Sequence, residues 1–225
     1  MKYLLTDSRK IVSPVASLFF AIKGDRRDGH EFIPDLHQAG VRNFVVADEK
    51  VAAGFPDSNF IVTNDTLGSL QKLAAHHRNK FNIPVVAITG SNGKTIVKEW
   101  LYQLLQEDHQ IVRSPKSYNS QIGVPLSVWQ MSAENDLAIF EAGISERGEM
   151  PKLESIIKPD TGIFTNIGSA HDENFNSLSE KVEEKLMLFR NCKNLIYCKD
   201  YLLISDEINK ATFLPSSLKL FTWSR

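Results

Sequence analysis

The sequence contains little cysteine and no long apolar run, and each absence excludes a class of protein. Its only two cysteines, Cys192 and Cys198, lie close together without a matching Cys or His pair, which excludes a zinc signature and a disulfide framework. No stretch approaches 18 consecutive apolar residues, and the N-terminus becomes polar after three apolar residues, so we expect neither a membrane span nor a signal peptide. These features predict a cytoplasmic protein with reduced thiols.

A strong charge of either sign is also absent. The 225 residues carry a formal net charge of -1, so no basic field exists to attract nucleic acid or an anionic membrane surface. Any anionic ligand must be held by a local arrangement of groups. With 42% apolar and 24% charged residues, the chain has the composition of a globular protein of one or two domains.

Short apolar runs alternate with helical patterns along the chain. Runs rich in β-branched and aromatic residues, bounded by turn-forming residues, predict strands. They lie at residues 18–22, 43–47, 60–63, 84–89, 137–142, 162–167 and 194–198. Because most runs after residue 84 are apolar throughout, they are typical of a parallel sheet covered by helices on both faces.

These patterns predict an α/β fold in two parts. A small N-terminal α/β domain, residues 1–82, precedes part of a P-loop-type parallel-sheet ATPase domain, residues 83–225. A helix over residues 66–80, capped by Thr66 and with Leu70 and Ala74 on one face, leads to the expected domain joint. A second amphipathic helix follows residue 93. Its predicted apolar face consists of Val97, Trp100, Leu101, Leu104 and Leu105.

The segment ITGSNGKT joins a predicted strand to that second helix and is typical of a phosphate-binding loop. Backbone N–H groups and the positive helix end can surround a phosphate, while Lys94 supplies charge and Thr95 a hydroxyl ligand for Mg²⁺. Ile88 stands where the general P-loop pattern has its first glycine, and a ligand-free Gly-Lys-Thr turn is the alternative. The strand-loop-helix order favours nucleotide binding. The loop comprises Gly90, Ser91, Asn92, Gly93, Lys94 and Thr95.

Polar residues at the ends of two later strands point to the same sheet edge. Glu141 ends the strand at 137–142, where it is a natural Mg²⁺ ligand beside the loop, although an isolated carboxylate there is often only solvated. His171 follows the strand at 162–167 and is a candidate for a second metal or a phosphate contact. Asp172 and Glu173 read as caps or surface groups. Periodicity places Lys185 beside a buried helix face, where most lysines are solvated.

Four ordered segments together resemble the Mur ligases. They are TGSNGKT (89–95), KSYNSQIGVPLS (116–127), FEAGISERGEM (140–150) and NIGSAHDENFNSLSEKVEEKLMLF (166–189), and the N-terminal TDSRKI and FFAIKGDRRDGHEFI segments extend the likeness. The resemblance implies a ligase that uses ATP to convert a peptide carboxylate to an acyl phosphate, which an amine then attacks. Within the family, N-x-x-I-G-V-P-L is most similar to the member that joins D-alanyl-D-alanine to UDP-N-acetylmuramoyl-tripeptide.

The resemblance also implies roles for particular residues. Lys94 and Thr95 would hold the ATP phosphates and a first Mg²⁺, with Glu141 as a further ligand, while His171 would contact a second metal. Lys185 stands where the family carries a carbamylated lysine that bridges the metals. For the UDP-sugar end of the substrate, the resemblance assigns Ser8, Arg9, Asp28, Gly29 and His30, and it adds Asn119 as a further substrate-binding residue. Asp28 and Gly29 have a structural alternative, which is a simple turn before a helix at 31–39.

The chain departs from the family between residues 142 and 149, where the usual Met before Gly and the Asn-His pair after it are missing. This variant resembles ligases fused to an alanine racemase. The family's nucleotide domain is incomplete here and its third domain is missing, so we expect no turnover by the isolated chain. Alternatives are the third-residue-adding Mur ligase, a folylpolyglutamate synthetase, a GTPase-like switch and a binding module. The GTPase is disfavoured because residues 79–82 fail the N-K-x-D pattern.

Overall fold

The computed structural model describes residues 1–24, 27–168 and 174–224 and contains two compact units, Met1–Leu73 and Ala74–Arg225. The described strands are β1 (Tyr3–Leu5), β2 (Ser17–Phe20), β3 (Asn43–Val46), β4 (Asn59–Val62), β5 (Val85–Thr89), β6 (Ile111–Arg113), β7 (Leu137–Glu141), β8 (Thr161–Phe164), β9 (Asn194–Cys198) and β10 (Lys219–Trp223). The described α-helices are α1 (Ile33–Gln38), α2 (Thr66–Arg78), α3 (Lys94–Leu105), α4 (Gly123–Val128), α5 (Met150–Ile157), α6 (Leu178–Leu186) and α7 (Leu202–Lys210). None of these helices combines the length and apolar composition needed to cross a lipid bilayer.

The first unit contains a parallel sheet in the order β1-β2-β3-β4. Its core is aromatic: Phe19 and Phe44 are buried with their rings edge to face, and Phe60 stacks on Phe44 at 5.2 Å between ring centroids. The three strands predicted in this unit are confirmed. Strand β1 was not predicted, because three residues are too few to show a periodicity.

Helix α2 confirms the predicted helix over 66–80 but begins differently. Leu70 and Ala74 are fully buried, as their shared face predicts. The cap is Asp65, whose Oδ1 accepts a 2.7 Å hydrogen bond from the Gly68 N–H. The Thr66 hydroxyl instead donates to the Ala21 carbonyl, so the prediction that Thr66 caps this helix is wrong. The expected domain division at residues 82 and 83 stays a prediction.

The second unit contains a parallel sheet in the order β10-β9-β8-β5-β7-β6. The chain leaves β5 toward one side, returns through β7, and continues through β8 on the other side, so β5 lies at the switch point where open α/β sheets bind ligands. All four strands predicted after residue 83 are confirmed, and so is the α/β parallel-sheet fold. The short β6 and the exposed β10 were not predicted.

The buried face of helix α3 differs from the predicted apolar face. Val97, Leu101 and Leu105 pack against the cluster of Ile88, Leu137 and Ile139 on the sheet. Trp100 is 63% exposed and Leu104 is 74% exposed, so the prediction that both belong to the buried face is wrong. At 3.6 residues per turn, the buried face is centred on the side that carries Lys98, and Lys98 is fully buried.

Candidate active site

The predicted phosphate-binding loop connects β5 to α3, and its conformation depends on two glycines. Gly90 and Gly93 have φ angles of 142° and 81°, which favour glycine. At Gly90 a Cβ would lie 2.0 Å from the Thr165 Oγ1, so a larger residue is also excluded by contact. Gly93 is the N-cap of α3, and the loop therefore ends at a helix N-terminus, where N–H groups lack helical partners. This geometry is suited to a phosphate.

Residues that follow β8 hold the loop in place, and sequence reasoning did not single them out. The N–H groups of Ser91 and Asn92 donate to the main-chain carbonyl and the Oδ1 of Asn166, at 3.0 and 2.9 Å. The Thr165 hydroxyl donates to the Asn92 carbonyl at 2.6 Å. The loop thus presents its remaining donors at the Gly93–Thr95 end. The signal in the sequence for these loop contacts was the polar pair Thr165 and Asn166, which directly follows β8.

Lys94 is held against the loop that precedes it. Its Nζ donates to the Gly90 carbonyl at 2.7 Å and lies 3.4 Å from the Ser91 carbonyl. Burial lowers the pKa of Lys94 below its ordinary value, Glu141 opposes this effect, and Lys181 adds to it. The ammonium therefore lies against the loop, and its predicted contact with the terminal phosphates stays a prediction.

Glu141 ends β7 directly beside the loop, as predicted from its strand-end position. Register pairs Ile88 with Glu141 across β5 and β7. The Thr95 hydroxyl donates to the Glu141 Oε2 at 3.0 Å, and the Ser117 hydroxyl lies 3.2 Å from the Thr95 Oγ1. The Glu141 side chain is fully buried, so the alternative of a solvated carboxylate is excluded.

A second cation, Lys98, contacts Glu141 and was missed. Its Nζ lies 2.9 Å from the Glu141 Oε1, in an orientation that makes an ion pair without a hydrogen bond. It also donates to the main-chain carbonyl of Ser114 at 2.8 Å and to that of Lys116. The available signal was its spacing of four residues from Lys94, which places both side chains on one helix face.

Lys185 lies on α6 and is buried, with 3% of its surface exposed, although periodicity alone predicted a solvated lysine. Its pKa is lowered to about 7, mainly by burial and also by the ammonium groups of Lys94 and Lys181, while Glu184 opposes these effects. Lys185 and Lys94 line one pocket together with the predicted substrate residue Asn119. The remaining lining residues are Gly90, Ser91, Ser120, Gly143, Ile144 and Ser145.

Two further site predictions have different outcomes. His171 lies outside the described residues, as do Asp172 and Glu173.

Asn119 accepts the Gly143 N–H at 2.8 Å through its main-chain carbonyl, which joins the segment after β6 to the one after β7. Within the described ranges, no group of three His, Cys, Asp or Glu side chains is arranged to hold a metal ion.

The predicted UDP-sugar residues lie in the first unit. Arg9 is 80% exposed and pairs with Asp7, whose pKa it lowers to about 2 mainly through a side-chain hydrogen bond. Asp28 caps a 3-10 helix at Gly29–Phe32 by accepting the His30 N–H at 3.0 Å, so its predicted turn role is present. Ser8 begins a separate 3-10 helix, Ser8–Lys10.

His30 and Gly29 are structurally engaged. The His30 Nδ1 lies 2.6 Å from the Asp28 Oδ1, and its Nε2 accepts the Ala47 N–H at 2.9 Å. At Gly29, a Cβ would lie 2.7 Å from the Ile22 nitrogen, so only glycine allows this close approach. These contacts join the DGH segment to the residues that follow β2 and β3.

The comparison with family models covers both the loop and Glu141. A family model described as Mur ligase middle domain matches residues 88–215. The chain belongs to the Mur ligase family. A second model, described as Mur ligase family, catalytic domain, matches residues 2–87 of this Mur ligase chain.

Individual Mur ligases show the same likeness. The UDP-N-acetylmuramoyl-tripeptide--D-alanyl-D-alanine ligase of Bacillus subtilis is 33% identical over 92% of this chain and 45% of its own length. The protein of the same name from Synechocystis is 38% identical over 75% of this chain and 36% of its own. The structure of the MurF ligase from Thermotoga maritima in complex with ADP matches with a TM-score of 0.84 and 25% identity, over 99% of this chain and 50% of that one. This chain therefore spans about half the length of its relatives or less.

Proposed function

We propose that this chain provides the nucleotide-binding and precursor-binding parts of an ATP-dependent ligase that adds D-alanyl-D-alanine to UDP-N-acetylmuramoyl-tripeptide. The observation that carries the proposal is the contact of the phosphate loop with the strand-end carboxylate, Thr95 Oγ1 to Glu141 Oε2 at 3.0 Å. Two relatives are named for this activity and are 33% and 38% identical to the chain, which supports this member of the Mur ligase family over the others. Such a reaction uses ATP and nucleotide-linked precursors, which places it in the cytoplasm.

The residues at the sheet edge have complementary roles in this reaction. Backbone N–H groups at the start of α3 bind phosphate oxygens, and the Lys94 ammonium, within reach of the Gly90 carbonyl, neutralises charge on the transferred phosphoryl group. The terminal phosphoryl group passes from ATP to an oxygen of the peptide carboxylate, and ADP leaves. The resulting acyl phosphate is attacked by the amine of the dipeptide, which forms the amide and releases phosphate.

The oxygen groups beside the loop fit Mg²⁺. Glu141 presents a fully buried carboxylate, and the hydroxyls of Thr95 and Ser117 lie within 3.2 Å of one another. Hard oxygen ligands are those that Mg²⁺ prefers, and Mg²⁺ at phosphates uses few protein ligands. When bound, the metal would stabilise negative charge on the phosphate oxygens. Thr95 and Glu141 would hold it, and His171 is the proposed contact of a second metal.

Lys185 has the surroundings of a modified lysine. A buried amine beside Lys94 and Lys181 is disfavoured as an ammonium, so its neutral form is available to attack CO₂. The addition forms an N–C bond and releases a proton, which converts a cation to a carbamate anion. The anion would relieve the repulsion among the three lysines and provide oxygen atoms for metal. We therefore propose that Lys185 is carbamylated.

Precursor recognition is proposed for the first unit. Arg9 presents an exposed planar guanidinium suited to a diphosphate, and Asp28, Gly29 and His30 form a segment that the His30 side chain bonds to the Ala47 N–H. Asn119 is proposed as a contact of the peptide end because it lines the pocket with Lys94.

Calorimetric titration of the 225-residue chain with UDP-N-acetylmuramoyl-tripeptide tests the proposal. We expect saturable binding that Arg9→Ala weakens and that Lys10→Ala, a change at a neighbouring exposed cation, leaves nearly unchanged. UDP-N-acetylmuramoyl-dipeptide and a folate serve as competing ligands. Preference for the dipeptide would indicate the third-residue-adding ligase, and preference for the folate would indicate a folylpolyglutamate synthetase. Precursor binding without any ATP binding would favour a binding module.

A further inference from the structure

Lys98 is a fully buried lysine at the phosphate-binding edge that none of the roles above uses. It lies one helical turn after Lys94, and its side chain faces the sheet. Its Nζ is 2.9 Å from the Glu141 Oε1 and donates to the Ser114 carbonyl at 2.8 Å and to the Lys116 carbonyl. One ammonium therefore joins α3, the end of β7 and the segment after β6.

The contacts of Glu141 are divided between its two oxygens. Oε1 faces Lys98, whereas Oε2 accepts the Thr95 hydroxyl at 3.0 Å. The main chain is fixed at the same point, because the Glu141 N–H donates to the Ser114 Oγ at 3.1 Å and the Ser114 N–H donates to the Ile139 carbonyl at 3.1 Å. With one oxygen paired to Lys98, the carboxylate is held in one orientation, which presents Oε2 to Thr95.

Stability alone is a weak reason to place a lysine here. Removing an ammonium from water is costly, and an apolar side chain often replaces a buried ion pair without loss of stability. Val97 and Leu101 show that neighbouring positions on this face are filled by apolar residues. An apolar residue at position 98 would not orient the Glu141 carboxylate.

We infer that Lys98 is a positioning residue, which orients Glu141 so that its Oε2 and the Thr95 hydroxyl together receive the Mg²⁺ of the bound nucleotide. The inference deepens the proposed function and rests on it. Groups that orient a metal ligand typically change metal affinity about 10-fold to 100-fold when they are removed. The effect of Lys98 is therefore expected in the contribution of Mg²⁺ to ATP binding, not in the binding of ATP without metal.

The test is a double-mutant cycle on the 225-residue chain, read as ATP affinity by calorimetry with Mg²⁺ and with a chelator. We expect Lys98→Met to reduce the Mg²⁺-dependent gain in affinity by about 10-fold and to leave the affinity in chelator unchanged. Glu99→Gln is the matched control. It removes the other carboxylate near Lys98, at 3.1 Å, and leaves the Glu141 contact in place, so the gain should persist.

Glu141→Gln should abolish most of the gain, and adding Lys98→Met to it should change nothing further, because Lys98 acts through Glu141. A further loss of affinity in the double variant would assign Lys98 to the folding of the segment after β6 and overturn the inference. If Lys98→Met alone does not fold, the comparison of Glu141→Gln with the double variant still tests the inference. The double variant has neither the lysine nor the carboxylate, so no unpaired charge is buried in it. If Lys98→Met keeps the full Mg²⁺-dependent gain in ATP affinity, the inference is also overturned, and the proposed function is left intact. Absence of ATP binding by the unmodified chain would overturn both.

Discussion

The Thr95 hydroxyl donates a 3.0 Å hydrogen bond to the Glu141 Oε2, which lies 46 positions later in the chain. The bond joins the first turn of α3 to the end of β7. Because the two strands β5 and β7 are parallel neighbours, their carboxyl ends meet at this edge. The contact brings the predicted phosphate-binding loop and a buried carboxylate into one site.

Thr95→Ala should weaken binding of Mg-ATP by about 10-fold or more, because it removes a proposed metal ligand and the hydrogen bond to Glu141. Binding of ATP in chelator should change much less. Calorimetric titration measures both. Thr222→Ala, on the exposed strand β10, is the control and should behave like the unmodified chain. Equal losses with and without Mg²⁺ would count against Thr95 as a metal ligand.

Gly90→Ala should destabilise the second unit by about 1–3 kcal/mol, because it combines a positive φ with a clash. The added Cβ would lie 2.0 Å from the Thr165 Oγ1, and the loop must shift to relieve this contact. Urea unfolding and ATP titration should both report the change. Gly54→Ala is the matched control, since a Cβ there meets nothing within 4 Å. If Gly90→Ala is as stable as Gly54→Ala, the loop is less constrained than these contacts indicate.

Lys185 should take up CO₂ in a pH-dependent manner. Its pKa is lowered to about 7, so the amine is mostly neutral at pH 8 and mostly protonated at pH 6. In ¹³C-labelled bicarbonate, we expect a carbamate carbon signal at pH 8 that weakens at pH 6. The signal should vanish in Lys185→Arg and persist in Lys193→Arg, which changes an exposed lysine. A signal that survives Lys185→Arg would place the carbamate on another amine.

Cys192 should make the protein sensitive to alkali. The pKa of the thiol is raised from 9.0 to about 12, mainly because the thiol is buried and also because Glu154 and Asp160 lie near it. Because the folded pKa lies above the unfolded one, the stabilising contribution is complete below pH 9 and is lost as pH rises toward 12. The loss at pH 10.5 is on the order of 1–2 kcal/mol.

Urea unfolding at pH 8 and at pH 10.5 measures this effect. Other groups also titrate over that interval, so the relevant quantity is the difference between the unmodified chain and Cys192→Ala. That difference should shrink at the higher pH, whereas Cys198→Ala serves as the control for loss of a buried side chain. A difference that is constant with pH would refute the assignment to Cys192.

Local sequence patterns determined the backbone elements and the phosphate loop. Apolar runs predicted seven strands, and the ITGSNGKT segment predicted a strand, a loop and a helix. These predictions were possible because each conformation depends mainly on residues that are close together in the sequence. The loop glycines and Lys94 lie within six consecutive positions, so their shared role was visible in one segment. The family resemblance, carried by ordered motifs, is confirmed by the comparisons.

Only the tertiary structure decided which polar groups are buried together. Trp100 fits an apolar helix face but is exposed, while Lys98 and Lys185 are buried, because partners from β7, β6 and the phosphate loop determine the environment of each side chain. Periodicity records spacing along one helix and contains no information on the strand that packs against it. The bond from Thr95 to Glu141 and the ion pair from Lys98 to Glu141 therefore follow from the strand order, which brings distant residues to a common edge.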